Sequence, residues 1–237
     1  MATKTEIKYP ANVNVQGILS FPLWNSKDKD ERLPKWREQK GYKKGEYDDR
    51  LGGTFFLTQK MVDHIKAYIL ETYLPFTIEL NKNDPKKGFT PEQAEQIEEL
   101  VKQEDWSESN LPIKDLNEKD VENNDEDIVA KFVFYASGDN DIAKRVVGRN
   151  ADGALIALDW DDLEDEGISD RDTLWWGSRN TFRGGFNLNA YTRKVGKFVV
   201  PGITAYTRSL HLRSDLPMNW GGGSEDVEAV LEEDFED

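Results

Sequence analysis

The sequence predicts a mainly β fold, a small antiparallel β-domain with one main helix, long loops and an acidic end. Short runs of β-branched and aromatic residues recur along the chain, separated by segments rich in glycine and charge. A single longer stretch carries apolar residues at helical spacing. The chain has 237 residues, 37% hydrophobic and 32% charged, so it can bury a core and still carry long polar segments. It contains no cysteine, which excludes disulfides and thiolate zinc sites.

The first half of the chain predicts two strands followed by a helix. Val13–Trp24 and Gly52–Thr58 are rich in β-branched and aromatic residues and are predicted as strands. Gln59–Tyr73 places apolar residues three, four and seven positions apart, as an amphipathic helix requires. Pro75 lies just beyond this pattern, so we expect the helix to end before it. The polar segment 25–50 is predicted to be a long loop between the two strands.

Strands dominate the second half of the chain. Four are predicted, at Val129–Ser137, Ala154–Trp160, Thr181–Arg193 and Ile203–Arg213. In the third of these, alternation places Phe182 and Phe186 in the core and Arg183 and Tyr191 on the opposite face. In the fourth, the alternation changes near Thr207, which predicts a β-bulge there.

A hydrophilic insertion is predicted over residues 75–128. Thr90 and Pro91 are typical of the N-cap and first position of a short helix, which we expect to run to about Lys102. Residues 92–127 include fourteen acidic and three basic side chains, so this segment alone contributes a charge of −11. No role for the insertion follows from this composition.

The order of these elements predicts the architecture. Two strands, a helix, an insertion and at least three further strands fit a five- to six-stranded antiparallel Greek-key barrel. Curved strands with large loops are typical of the oligonucleotide/oligosaccharide-binding fold, or OB-fold, and a β-sandwich fits the number of strands nearly as well. We expect residues 1–219 to form this domain and residues 220–237 to form a flexible acidic C-terminal tail.

The net charge is −15, which by itself argues against a nucleic-acid partner, because a basic surface is the usual requirement. The charge is unevenly distributed, however. The 41 residues from Thr173 to Arg213, the acid-free segment, contain seven basic side chains and no Asp or Glu. Several aromatic residues lie among them. Cations neutralise phosphates and aromatic rings stack on bases of any sequence, so this composition predicts binding of single-stranded DNA.

Candidate DNA-binding residues come from the acid-free segment and from the 129–137 strand. If Trp175 and Trp176 lie in a strand, only one of them can face inward, and the other is available to a ligand. Strand alternation makes Lys131 and Tyr135 further candidates on an outward face. The full set is Lys131, Tyr135, Trp175, Trp176, Arg179, Arg183, Tyr191, Arg193, Lys194 and Arg208. For each charged residue, ordinary surface solvation is the alternative interpretation.

No pattern of catalytic residues stands out, so we predict no enzymatic activity, no metal and no cofactor. His64 and His211 are isolated, and phosphate-binding loops and serine-nucleophile motifs are absent. One acidic cluster could hold Mg²⁺ in a nuclease, namely Asp159, Asp161, Asp162, Glu164, Asp165 and Glu166. Consecutive acidic residues in a turn are more often a solvated loop, which is the interpretation we favour.

Four short motifs occur in the order in which a known family carries them. They are Gly53-Thr54-Phe55 leading through Met61-Val62-Asp63 to Ile65, the AKFVFYAS stretch at Ala130–Ser137, the Arg179–Tyr191 strand after a Gly-Ser, and an aromatic residue followed by Gly221-Gly222-Gly223 and acids. Together they resemble the single-stranded DNA-binding proteins of podovirus-type bacteriophages. The resemblance implies an OB-fold replication protein that forms a homodimer. It also implies an acidic tail that contacts phage replication proteins such as the DNA polymerase and the helicase/primase.

The acidic tail follows directly on three glycines. Residues 221–237 contain eight acidic side chains, no basic ones and a single phenylalanine. Such a tail can compete with DNA phosphates for the basic residues of the acid-free segment, with Phe235 in the place of a stacked base. Asp234, Phe235, Glu236 and Asp237 are the residues we expect partners to contact. In the family the tail ends in an aromatic residue, whereas here two acidic residues follow Phe235.

A second class of function stays open, an interaction protein whose acidic surface mimics DNA and blocks a nuclease or restriction factor. The total charge favours this class, and the basic and aromatic composition of the acid-free segment counts against it.

The sequence shows neither a signal peptide nor a run of about 20 apolar residues that would span a membrane. We therefore expect the protein in the host cell cytoplasm.

Overall fold

Five strands close into a barrel in the computed structural model of the chain, which describes residues 9–23, 52–103, 105–106, 109–136, 146–149, 155–157 and 181–212. The strands are β1 (Val13–Leu23), β2 (Gly52–Thr58), β3 (Ile113–Asp115), β4 (Ile128–Tyr135), β5 (Val146–Arg149), β6 (Leu155–Ala157), β7 (Thr181–Val195) and β8 (Phe198–Leu212). The helices are α1 (Gln59–Ala67), α2 (Leu74–Asn83), α3 (Pro91–Lys102) and α4 (Glu118–Asn123), and a π-helical turn at Tyr68–Tyr73 joins α1 to α2.

The barrel closes in the order β1–β2–β4–β8–β7 and back to β1. Four of the five pairings are antiparallel, whereas β4 and β8 run parallel, with Phe134 opposite Ala205 and Tyr135 opposite Tyr206. The predicted OB-fold is confirmed, and the β-sandwich is excluded because a single sheet closes on itself. Antiparallel pairs predominate, as predicted, and the β4–β8 pairing is the parallel one among the five. A closed ring with an odd number of strands must contain at least one parallel pair.

The main helix is longer than the sequence predicts. It does not end before Pro75 but continues from α1 through the π-helical turn into α2, with Pro75 in the first turn of α2. Proline lacks an N–H and its ring clashes with the preceding turn of a regular α-helix. The π-helical turn widens the helix at this place, as the bond from the Leu74 N–H to the Ile69 carbonyl shows. The predicted insertion therefore begins as helix.

The rest of the insertion contains two short helices and a strand. Helix α3 has the predicted bounds and begins with a capping box, in which Thr90 and Gln93 bond to each other's backbone N–H. Strand β3 adds to the free edge of β4, with Ile113 opposite Phe132. The acidic insertion is thus built onto the barrel.

Aromatic side chains fill the barrel. The ring of Phe186 lies 5.8 Å from that of Phe55, 5.1 Å from that of Phe132 and 5.0 Å from that of Phe134. All four rings are fully buried. Met61, Val62 and Ile65 of α1 pack against the same core. Phe182, Phe186 and Leu188 are buried, as the alternation along this strand predicts.

Strands β7 and β8 form a long hairpin. β8 begins at Phe198, five residues before the predicted start, and the turn contains Gly196 with a φ of 60°. The predicted bulge is confirmed, because Gly185 pairs with Ser209 and Phe186 with Thr207, which leaves Arg208 as the extra residue.

In the described part of the chain, no helix is long and apolar enough to cross a membrane.

Candidate nucleic-acid interface

A groove opens where β4 and β8 diverge beyond their short parallel pairing. Residues of the insertion occupy this gap: the Ile203 N–H donates to the Asn110 carbonyl at 2.8 Å, and the Val133 N–H donates to the Pro112 carbonyl at 2.8 Å. The Asn110 side-chain amide also donates to the Pro201 carbonyl at 3.3 Å. The insertion therefore builds one wall of a site whose other walls are barrel strands.

This first groove has a volume of about 840 Å³. Its aromatic and cationic lining residues are Lys114, Tyr135, Tyr191, Arg193 and Tyr206. Amide and hydroxyl groups accompany them, and none of the described residues that line it is acidic. A surface with three phenol rings, two cations and no carboxylate is suited to an anionic ligand with flat rings.

The position of Tyr191 is set by its neighbours. Tyr191 is paired with Gly202 across the hairpin, and its ring occupies the space that a side chain at Gly202 would need. Asn110 borders the same space. The Tyr191 ring therefore lies against the backbone at Gly202.

Positive charge accumulates beside this ring. Burial, the charge of Arg193 and that of Lys131 lower the pKa of Lys114, and Asp115 opposes this shift. The Lys114 ammonium donates to the Ser109 carbonyl, which orients it without neutralising it. Neighbouring cations repel each other, and a bound phosphate reduces this repulsion. The cluster therefore favours an anionic ligand.

A second groove of about 800 Å³ adjoins the first, and Asn189 and Tyr206 line both. Its aromatic lining residues are Tyr9, Tyr68, Tyr73, Phe76 and Tyr206, and its cation is Arg208. As in the first groove, no described lining residue is acidic. Burial raises the pKa of Tyr73 far above its usual value, and a hydrogen bond with the Ala190 backbone lowers it by less. The Tyr73 phenol therefore stays neutral.

The structure brings together some of the predicted residues and separates others. Tyr135, Tyr191 and Arg193 line the first groove, and Arg208 lines the second. Arg183 and Lys194 line neither groove. Trp175, Trp176, Arg179, Asp234, Phe235, Glu236 and Asp237 lie outside the described residues, as does the acidic cluster from Asp159 to Glu166. DNA contact stays a prediction for the whole set.

Lys131 is already paired. Its ammonium lies 2.6 Å from the Asp120 carboxylate, and both side chains are largely buried. Asp120 also accepts the Asn117 N–H at the start of α4. The charge of Lys131 is therefore compensated within the protein, which the alternation along β4 gave no means to foresee.

Other lining residues were missed from the sequence. Lys114 and Asn110 lie in the acidic insertion, where composition argued against a cationic site. Tyr206 is one of the aromatic residues of the acid-free segment but was not among the candidates; the structure directs it outward, between the buried Ala205 and Thr207. Tyr9 and Phe76 carry no sequence signal, since an isolated aromatic residue near a helix is most simply read as core.

The described residues include no group of three or more His, Asp or Glu side chains that could hold a metal ion.

Comparisons with known proteins give a limited likeness. No protein-family model and no curated protein matches the sequence. Among solved structures, the single-stranded DNA-binding protein of bacteriophage Enc34 in complex with ssDNA is similar, with 11% identity and a TM-score of 0.40 over 87% of this chain and 89% of that chain. The single-stranded DNA-binding protein gp2.5 of bacteriophage T7 is also similar, with 14% identity and a TM-score of 0.37 over 90% and 96% of the two chains.

Proposed function

We propose that this protein binds single-stranded DNA without sequence preference. The first groove is the observation that supports this. Tyr135, Tyr191 and Tyr206 offer flat rings beside Lys114 and Arg193, with no carboxylate among the described lining residues. In a chain with 46 acidic residues, such a lining marks a surface kept clear of negative charge. Rings can stack on bases, and the two cations can neutralise phosphates.

The site suits a single strand better than a duplex. Stacking requires exposed base faces, which a duplex does not offer. Base stacking contributes about 1–3 kcal/mol per base whatever the base, so we expect little sequence preference.

A gel shift with a labelled oligonucleotide tests the proposal. The full chain should retain single-stranded DNA, bind duplex DNA of the same sequence less tightly, and lose affinity steeply as salt increases. Tyr191→Ala and Arg193→Gln should each weaken retention, while Lys86→Gln, a change at an exposed lysine outside both grooves, should not. An affinity that does not change with salt would contradict phosphate contacts.

The same assay separates the alternatives. A protein that mimics DNA would leave the oligonucleotide unretained, and the charge of −15 is the observation that favours this second candidate. Adding Mg²⁺ tests for nuclease activity, which we do not expect. Cleavage that requires Mg²⁺ and is lost when Asp159 and Asp161 are changed to Asn would favour the nuclease with the acidic cluster from Asp159 to Glu166 as its metal site.

The finer proposal is a role in phage DNA replication, recombination and repair, supported by the four sequence motifs. In this role the protein acts as a homodimer in the host cytoplasm, and its acidic tail competes with DNA for the groove. DNA displaces the tail, whose residues Asp234–Asp237 then recruit the phage polymerase and helicase/primase. Sedimentation of the full chain tests the dimer, and capture of the polymerase before and after adding DNA tests the recruitment.

A further inference from the structure

The second groove has a built floor formed by two segments distant in sequence. The N-terminal arm, residues 9–12, lies against the main helix, where the Tyr68 hydroxyl donates to the Ala11 carbonyl. The ring of Tyr9 lies 5.0 Å from that of Phe76, inclined by 52°. Tyr9 nevertheless remains 65% exposed. An exposed ring that packs against a second ring can stack on a flat ligand, and we call Tyr9 with Phe76 the platform.

A cation stands at the edge of this platform. Arg208 is the extra residue of the bulge, which redirects its side chain outward between the buried Thr207 and Leu210. With the Asn187 amide oriented so that its oxygen faces Arg208, the orientation that satisfies both of its polar atoms, Arg208 Nε and Nη2 donate to this oxygen at 2.6 and 2.5 Å and the amide nitrogen donates to Asn12. Asn187 is neutral, so it orients the guanidinium without neutralising it, and no ion pair joins Arg208 to a carboxylate among the described residues.

The two grooves adjoin each other. Asn189 and Tyr206 line both, and the described lining residues of both lack carboxylates. Along β7, Arg193 in the first groove and Asn187 in the second are six residues apart, or about 20 Å at about 3.3 Å per residue. Stacked nucleotides advance about 3.4 Å each, so a strand of about six stacked nucleotides spans this distance.

We propose that the second groove is a second nucleotide-binding subsite that extends the path of the same single strand. A base stacks on Tyr9 above Phe76, a phosphate is held by Arg208, and the strand passes from one groove to the other over Tyr206. This proposal rests on the proposed function of the first groove. Its occupant is single-stranded DNA, because the exposed ring, the Arg208 cation and the absence of carboxylates among the described lining residues repeat the chemistry of the first groove.

Oligonucleotide length separates the two subsites. Affinities of the full chain are measured by fluorescence anisotropy for oligo-dT of about four and about twelve nucleotides, within the range that one OB-fold occupies. For the native protein, the longer oligonucleotide should bind more tightly. Tyr9→Leu should lower the affinity for the longer one at least about five-fold and leave that for the shorter one unchanged. Tyr9→Phe, which keeps the ring, should restore it.

Arg208 supplies an independent readout. Arg208→Gln should reduce the salt dependence of binding by about one phosphate contact for the longer oligonucleotide alone, and Arg208→Lys should retain part of it. Lys86→Gln is the matched control for loss of one exposed positive charge. Tyr191→Ala, in contrast, should weaken binding of both lengths. Thermal unfolding of each variant shows that the fold is retained.

The failures are distinguishable. If the native chain binds neither oligonucleotide, the proposed function is wrong, and the second subsite with it. If Tyr9→Leu and Arg208→Gln bind the longer oligonucleotide as the native chain does, the second subsite is wrong and the first groove stands. The same holds if these variants change sedimentation without changing DNA affinity, because the platform is then a protein contact. An equal loss for both lengths would also overturn a separate subsite.

Discussion

The phenol ring of Tyr191 lies directly over Gly202 on the neighbouring strand. A methyl group at position 202 would stand 2.4 Å from Tyr191 Cζ, 2.6 Å from its hydroxyl oxygen and 2.8 Å from the Asn110 Cβ. These distances are shorter than carbon atoms tolerate, so only glycine permits the ring to lie where it does. Gly202 therefore positions a proposed stacking residue without itself presenting any side chain to a ligand.

The first prediction concerns this contact. Gly202→Ala should displace the Tyr191 ring and lower the affinity for single-stranded DNA about five-fold or more, close to the loss in Tyr191→Ala. Combining the two substitutions should cost little more than Tyr191→Ala alone, because both act on one ring. Anisotropy titrations of the three variants measure this, with Tyr191→Phe as the control that keeps the ring. Additive losses would show that Gly202 acts by another route.

Lys114 supplies a prediction on pH. Its pKa is lowered by burial and by the neighbouring charges of Arg193 and Lys131, against Asp115, whereas a bound phosphate would raise it again. At a pH between the Lys114 pKa of the free protein and that of the DNA-bound protein, binding takes up a proton. Affinity should therefore fall as the pH rises toward the ordinary lysine value of about 10.4.

The measurement is the dissociation constant of an oligonucleotide as the pH is raised from neutral. The series stops below about 10, where tyrosine side chains usually ionise. Lys114→Arg should flatten the profile, because arginine stays charged throughout. If the native and Lys114→Arg profiles run parallel, Lys114 does not contact phosphate.

The ion pair of Lys131 with Asp120 predicts an unusual gain. Asp120→Asn removes the carboxylate that compensates Lys131 while keeping an oxygen for the Asn117 N–H. The freed cation lies close enough to lower the pKa of Lys114, so it should join the first groove. We expect tighter DNA binding at low salt and a salt dependence steeper by about one phosphate contact. Lys131→Ala should change DNA affinity little, and a large loss would show that the ion pair opens on binding.

The strand pattern made most of the barrel predictable, because a period of two residues follows directly from burial of one face. Alternation places Phe182 and Phe186 in the core, and its change near Thr207 predicts the bulge, whose extra residue is Arg208 in the structure. The length of the main helix was not predictable from Pro75, since a π-helical turn leaves no compositional signal.

The candidate site was predictable only where it lies on regular strands. Tyr191 and Arg193 follow from alternation along β7. Lys114 does not, because it comes from an acidic segment that the fold brings against the barrel over a long sequence distance. Lys131 faces a carboxylate, whereas Arg208 faces a neutral amide. This difference in charge pairing depends on tertiary contacts, so the sequence pattern could not predict it.

Core packing gives a prediction on stability. Phe186 contacts three other buried rings, so Phe186→Ala should lower the free energy of unfolding by about 3–5 kcal/mol through lost burial and a residual cavity. Phe198, which is 76% exposed, offers a matched control, and Phe198→Ala should change stability by no more than about 0.5 kcal/mol. Urea unfolding measures both changes as shifts in midpoint. Equal shifts would show that the barrel core contributes less than its burial indicates.

If the acidic tail competes with DNA as proposed, deleting residues 221–237, which carry eight acidic side chains, should tighten binding of single-stranded DNA. The gain should be largest at low salt, where charges interact over about 30 Å, and small near about 0.15 M, where screening limits them to about 8 Å. Affinities of the full and shortened chains over a salt series measure this. A full-length chain with the tail carboxylates changed to amides tests charge alone, and Phe235→Ala tests the ring. If the tail competes through its charge, the amide variant should match the deletion. If Phe235→Ala matches the deletion instead, the tail competes by stacking. An unchanged affinity in all three variants would leave the tail only a role in contacting partners.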